Sequence, residues 1–436
     1  MTEHRFARWR RRLSIAALMA LALAVIGWRV AIYFIERAPS VPSAGVPTCP
    51  GRLDPSYAGA AESARRHLAA MLVERGIPGL TVAVAVGGRV VWSEGFGLAD
   101  RERGVLACPH MLFRIQSVSK PVTAAGMARL VERGVLDLDA PVRTYVPDLP
   151  PALGAVTARQ LASHRAGVRH YRDDNESLNT TKYETAVASL EKFRNDPLLF
   201  PPDSGSSYST YGFILLSAAM EGASGLDFPT LMRQEVFEPL GMNRTEAERS
   251  SAAVPDRTAF YDNVTPYSLD GRVYPSPVLD FSSKWAGGGI LSTAEEMVRF
   301  GSAHIRLNRG FLSNETIELL FTPRTKVLGL FGPGLGWLIA RDHRARRVRF
   351  HFGAGSGGTS FLVVYPDQQV SVAVLGNLGH AKFPMNRLLG VVSPFVGDPA
   401  GPSAWIVAVG AFGASMVLLL RRKAHTPRPL RDDRGR

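Results

Sequence analysis

The chain has 436 residues, 46 % of them hydrophobic, which is enough for one large core or two ordinary ones, and carries a net charge of +13. That charge belongs to the ends: residues 1–37 hold seven Arg against two acids, and residues 421–436 hold seven Lys or Arg against two Asp. Only +3 remains for the 383 residues between, with no basic stripe interleaved with aromatics, which argues against a nucleic-acid partner.

At the N-terminus, Arg8 and Arg10 to Arg12 precede the apolar run Leu13–Trp28, which continues through Arg29 into Val30–Ile35. About 20 residues cross a bilayer, and an Arg near one end can snorkel to the headgroups. The reading is a basic cytoplasmic end and transmembrane anchor over 1–37. A cleaved signal peptide is the rival, but its best small-residue site, Pro42-Ser43-Ala44, is poor and lies well past the apolar run.

Residues 38–50 read as a Pro-rich linker, and 51–400 as the main folded domain. Within it, Pro55–Gly76 has helical spacing, and Leu80–Val86 and Arg89–Trp92 flank Gly87-Gly88 as a hairpin. Helices are predicted from Ser117 to Arg133, stopped by Gly134, from Tyr211 to about Gly222, and from Thr293 to about Arg306. Strands are predicted at Val348–Phe352, Ser360–Tyr365 and Ser371–Leu375. Strands at both ends and helices in the middle imply an α+β fold: an antiparallel sheet built from the two chain ends, with flanking helices and an inserted, mostly helical subdomain.

Residues 404–420 carry no charge and stop at Arg421-Arg422-Lys423, the pattern of a second transmembrane helix followed by a basic cytoplasmic tail over 421–436. Both termini are then expected inside a cell membrane and the domain outside it. Cys49 and Cys108 can pair in an oxidising compartment or stay apart; the sequence leaves both open. The ten His show no ligand spacing such as H-E-x-x-H, so no metal or other cofactor is called.

The chemistry centres on Ser117-Val118-Ser119-Lys120. On a helix, positions i and i+3 share a face, which places Lys120 against the Ser117 hydroxyl, and burial lowers a lysine pKa so that it can act as a base. Taken alone, S-x-x-K is weak: Ser189-Leu190-Glu191-Lys192 repeats it in a polar stretch that reads as a solvated helix face. Ser117 differs in its apolar surroundings, Met111 to Phe113 and Ile115 before it and Val122, Ala124 and Met127 after it.

Further segments follow at matching distances. Phe113 to Pro121 resembles the nucleophile segment of class C beta-lactamases, DD-peptidases and related esterases. Gly134 to Val142, Thr157 to Gly167, Pro239 to Met242 and Trp285 to Thr293 are similar to other stretches of that penicillin-recognising, beta-lactamase-like family. Tyr208-Ser209-Thr210, after the Pro-rich turn at Phe200 to Asp203, resembles its Y-x-N motif, and His351-Phe352-Gly353 stands where the family has K-T-G or H-x-G. The likeness spans roughly residues 55–380 and is greatest to the mitochondrial serine beta-lactamase-like branch of animals and its bacterial relatives.

The resemblance implies a beta-lactamase–transpeptidase-like fold and an acyl-enzyme on Ser117, with Lys120 and Tyr208 sharing the proton transfers. An ammonium at Lys120 is expected to lower the Tyr208 pKa toward a phenolate. Thr210, His351 and Gly353 would line the substrate, and the amides of Ser117 and Ala354 would hold the oxyanion. Tyr261-Asp262-Asn263 is the better literal Y-x-N, but Tyr208 has the family's setting. Tyr211 reads as a packing residue, and Gly287 to Gly289 as a place of close backbone approach.

Thr210 lacks the amide that would grip an acylamido group, and His351 replaces a permanent cation with a titratable ring. The expected substrate is therefore a small-molecule or peptide acyl compound, handled by an esterase or peptidase rather than an efficient beta-lactamase. A non-catalytic membrane receptor or scaffold of the same fold is the alternative from another class; the intact Ser117–Lys120 pair speaks against it.

Overall fold

The computed structural model describes residues 45–249, 254–263, 272–305, 310–324, 331–342 and 344–397. Both expected transmembrane segments and the basic tail lie outside these residues. Among the described residues, no helix is long and apolar enough to cross a membrane. The chain divides into a large unit, residues 1–395, and a small one, 396–436, of which almost nothing is described.

The large sheet has nine strands among the described residues. Eight form its path: β1 (Thr48–Leu53), β2 (Gly79–Val86), β3 (Arg89–Asp100), β4 (Phe331–Pro333), β5 (Leu338–Arg341), β6 (Arg347–Gly355), β7 (Gly358–Tyr365) and β8 (Val370–Gly376). Their order is β1-β3-β2-β8-β7-β6-β5-β4, every pair antiparallel, so the first and last parts of the domain meet at β2 and β8. Those central strands read GLTVAVAV and VSVAVLG, apolar on both faces, as a doubly covered strand requires. Gly87 and Gly88 both have positive φ, which a two-residue hairpin joining β2 to β3 demands.

Alternation along β3 shows the two covers. Trp92 and Glu94 face α1 (Ala58–Arg75), where Glu94 accepts from Arg65 Nε at 2.8 Å, whereas Ser93 faces the opposite layer and donates to Glu295 at 2.6 Å. The site lies in that second layer. Its helices are α2 (Ser119–Glu132), α3 (Ala158–Ala162), α4 (Thr210–Ser224), α5 (Trp285–Gly288) and α6 (Ala294–Ala303). The last described helix, α7 (Met385–Val396), stacks Phe395 on Trp92 at 5.8 Å.

Three details depart from the sequence reading. Residues 48–50, expected to end the linker, begin β1, which is tied to the domain by a Cys49–Cys108 disulfide with Cα atoms 5.1 Å apart. The polar, Pro-containing TCPGRL segment gave no alternation to reveal an edge strand. The helical insertion is not a separate body: Phe213, Leu216 and Met297 share one core cluster with Ala83, Leu362 and Leu375 of the sheet. Ser189 is buried and spends its hydroxyl on the Ala186 carbonyl at 2.7 Å, so its motif is a packed turn rather than a solvated face.

Candidate active site

The nucleophile segment is held from two directions. Phe113–Arg114 pairs with Ile290–Ser292, and the Ile115 amide donates to the Ile290 carbonyl at 3.1 Å, which fixes the segment against α5. Gln116 and Arg114 both donate to the Ser356 carbonyl, at 2.7 and 3.2 Å, which fixes it against the turn after β6. Arg114 is itself immobilised by a buried two-pronged pair with Glu248, both contacts 2.8 Å, between the rings of Phe260 and Phe281. Gln116 has φ +47, a costly conformation for a non-glycine residue, immediately before Ser117.

Ser117 lies in a single 3-10 turn, Gln116–Val118, and Lys120 follows in the first turn of α2. The expected i, i+3 contact forms: Lys120 Nζ is 3.1 Å from Ser117 Oγ. The same nitrogen lies 3.2 Å from Thr210 Oγ1 and 2.7 Å from the Gly287 carbonyl. Tyr208, on the segment leading into α4, donates its hydroxyl to Ser117 Oγ at 2.8 Å. The structure thus brings Ser117, Lys120, Tyr208 and Thr210 around one hydroxyl.

Lys120 is fully buried, its nitrogen set among two hydroxyls and a carbonyl, and burial, reinforced by the charge of Lys284, holds its pKa well below the usual lysine value. A neutral amine has two protons and one lone pair. The Gly287 carbonyl can only accept, so one N–H goes there and a second serves Thr210, which leaves the lone pair for the Ser117 proton. Tyr208 does not rest as a phenolate: although the residue is 40 % exposed, desolvation around its hydroxyl raises its pKa above the ordinary tyrosine value, against smaller opposing effects of Ser117 and Thr210. The expected lowering fails because the neighbouring lysine is desolvated and supplies no steady ammonium. Tyr208 is a proton donor here.

His351 and Gly353 lie on β6 where it passes the nucleophile segment. The His351 ring is 6.4 Å from that of Tyr208 and its Nδ1 donates to the Phe352 carbonyl at 2.7 Å. Burial pushes its pKa down to about 3, so it is a neutral ring over the working range, not the titrating group that the sequence suggested. Gly353 serves approach: a Cβ there would stand 2.3 Å from the Ile115 carbonyl. Ala354 is exposed, opposite Thr359 in the ladder.

The rival motif is structural. Tyr261 is buried, accepts from the Arg101 amide at 2.8 Å and donates to Glu102 at 2.5 Å, while Asp262 accepts from Ser356 and the Gly357 amide. Tyr211 is buried against Phe193 at 4.4 Å. One contact of the site went unnoticed in the sequence: the Gly287 carbonyl, 2.7 Å from Lys120 Nζ. Gly287-Gly288-Gly289 signalled close approach, and a Cβ at Gly287 would indeed meet Thr210 Cγ2 at 2.5 Å, but nothing in the letters says that the carbonyl holds a lysine. Among the described residues, no group of three or more His, Cys, Asp or Glu is arranged to hold a metal ion.

The Beta-lactamase family model matches residues 64–390. The chain belongs to the beta-lactamase family. Within that family it is 31 % identical over 423 residues to the mitochondrial serine beta-lactamase-like protein LACTB of Homo sapiens, covering 76 % of each chain. It is 30 % identical over 297 residues to esterase EstB of Burkholderia gladioli, covering 61 % of this chain and 75 % of the esterase. The octameric penicillin-binding protein homologue from Pyrococcus abyssi superimposes with a TM-score of 0.68 over 76 % of both chains at 24 % identity, a likeness of fold alone. Relatives in this beta-lactamase family are serine hydrolases, and this chain is an enzyme of that class.

Proposed function

We propose that this serine hydrolase works through an acyl-enzyme on Ser117, on small esters or peptide-like acyl compounds rather than as an efficient beta-lactamase. The observation that carries the reading is the seat of Lys120, a buried amine in contact with the Gly287 carbonyl, Thr210 Oγ1 and Ser117 Oγ. Ser117 Oγ attacks the substrate carbonyl carbon as its proton passes to Lys120 Nζ, and the carbonyl electron pair moves onto the oxygen. The amides of Ser117 and Ala354 hold that oxygen. Collapse breaks the bond to the leaving group, which takes the Tyr208 proton; the Lys120 ammonium restores it. Water then repeats the sequence on the acyl-enzyme.

Two features favour the ester or peptide reading. His351 is neutral, so no fixed cation stands in that position for a substrate carboxylate, and Thr210 offers one hydroxyl where an amide would offer two contacts. The esterase among the relatives fits the same choice. The chain is further proposed to be tethered by membrane spans at its two ends, with the domain outside. Its basic-flanked apolar runs support that topology, and the disulfide fits an oxidising compartment.

The deciding experiment labels the protein with a fluorophosphonate probe and maps the modified residue. Ser117→Ala is expected to abolish labelling and Ser189→Ala to leave it intact. A folded Ser117→Ala protein that labels fully would defeat the assignment.

A further inference from the structure

Tyr208 sits on the irregular segment that leads into α4 and Thr210 is the first residue of that helix, yet both deliver a side-chain oxygen to within hydrogen-bond reach of the reacting pair. A loop does not hold such positions without anchors. The anchors are two histidines. The carbonyl of His164 accepts from the Ser207 amide at 3.0 Å, and its Nδ1 accepts from the Ser209 amide at 3.2 Å, so one residue grips the backbone on both sides of Tyr208. The imidazole lies 4.6 Å from the Tyr208 ring and fixes its plane. His170 Nδ1 accepts from the Thr210 amide at 3.2 Å, its ring stands edge-on to Tyr208 at 5.4 Å, and the neighbouring Arg169 carbonyl takes the Ser209 hydroxyl at 2.7 Å.

We infer that His164 and His170 are positioning residues for the proton-transfer groups, His164 setting Tyr208 against Ser117 and His170 setting Thr210 against Lys120. The inference rests on the catalytic reading of Tyr208 and Lys120 given above. His164 has φ +60 as the residue that ends helix α3, where its amide and that of Arg165 return to the Leu161 and Gln160 carbonyls at 3.1 and 2.8 Å, and this turn presents it to residues 207–209. An Nδ1 that accepts an amide proton belongs to a neutral ring, and burial keeps both rings so: the His164 pKa lies well below its ordinary value and that of His170 is about 4.

The test is a double-mutant cycle in the full chain with a p-nitrophenyl ester. His164→Gly removes the ring and relieves the backbone. His164→Asn keeps an acceptor near the Nδ1 position and tolerates positive φ. His164→Gly is expected to lower kcat by roughly 30-fold with KM changed less than about threefold, and His164→Asn to recover most of that loss. Tyr208→Phe is expected to lower kcat at least as much, and His164→Gly added to Tyr208→Phe to change it no further, because the ring then has nothing catalytic left to place. Multiplicative losses in the double variant, or full kcat in a folded His164→Gly protein, would overturn the positioning role while leaving Tyr208 in the chemistry. Full kcat in Tyr208→Phe would overturn both.

Discussion

Gly287→Ala tests the seat of Lys120 without touching a reacting group. A methyl at position 287 would stand 2.5 Å from Thr210 Cγ2, whereas carbon atoms rest about 3.5–4.0 Å apart, so one side must yield by about 1 Å. If Thr210 yields, its 3.2 Å contact with Lys120 stretches past hydrogen-bonding distance; if α5 yields, the 2.7 Å contact to the Gly287 carbonyl does. Either way the amine loses one of its two fixed partners. A misplacement of about 1 Å commonly costs about 100-fold in rate, or about 2.7 kcal/mol of barrier. The overpacking itself should destabilise the fold by about 1–3 kcal/mol. Thr210→Ser keeps the oxygen and deletes the clashing methyl, so Gly287→Ala/Thr210→Ser should return to within a fewfold of Thr210→Ser alone. Pre-steady-state acylation by a p-nitrophenyl ester measures this directly, with denaturant melts as the stability control. Wild-type acylation by Gly287→Ala, or no recovery in the double variant, would refute the reasoning.

A reporter active only outside the membrane, fused after residue 400, should give signal and the same reporter after residue 436 should not; equal signals would exclude two spans. Replacing Cys49 and Cys108 by Ser opens a cross-link across 59 residues and should lower unfolding free energy by about 4 kcal/mol on loop-entropy grounds, read from urea melts, with an unchanged midpoint arguing against it. The ratio of kcat/KM for a p-nitrophenyl ester to that for a chromogenic cephalosporin should favour the ester. It should also show no inflection near pH 6.5, because the His351 pKa of about 3 leaves the ring uncharged from pH 5.5 to 9. A cephalosporin preference, or an inflection removed by His351→Asn, would contradict this.

Local pattern accounts for much of what the sequence disclosed. The β2–β3 hairpin is signalled by apolar runs around two glycines, and the helix after Ser117 by apolar spacing and Gly134, whose φ of +66 ends it. The outer strands escaped notice because they are mixed or short: β1 begins Thr-Cys-Pro-Gly, β4 ends in Pro333, and β5 has only four residues. The environment of Lys120 was legible only as far as its own turn. Its other contacts come from 90 and 167 residues away, and no local pattern encodes them. Protonation states were misread for the same reason. The phenolate expected at Tyr208 assumed an ammonium at Lys120 and the titrating ring expected at His351 assumed solvent-like surroundings; desolvation of the Tyr208 hydroxyl reverses the first and burial removes the second.

The single core that joins the helical layer to the sheet also bears on how this enzyme discriminates among substrates. Enzymes that close over a substrate do so by moving one body against another about a hinge. Here Phe213, Met297 and Leu375 belong to one packed interior, so the two walls of the cleft have no slip plane between them. The width available to a substrate is thus set when the chain folds. On that footing a change of specificity is expected from altering individual side chains around Ser117 rather than from loosening a joint.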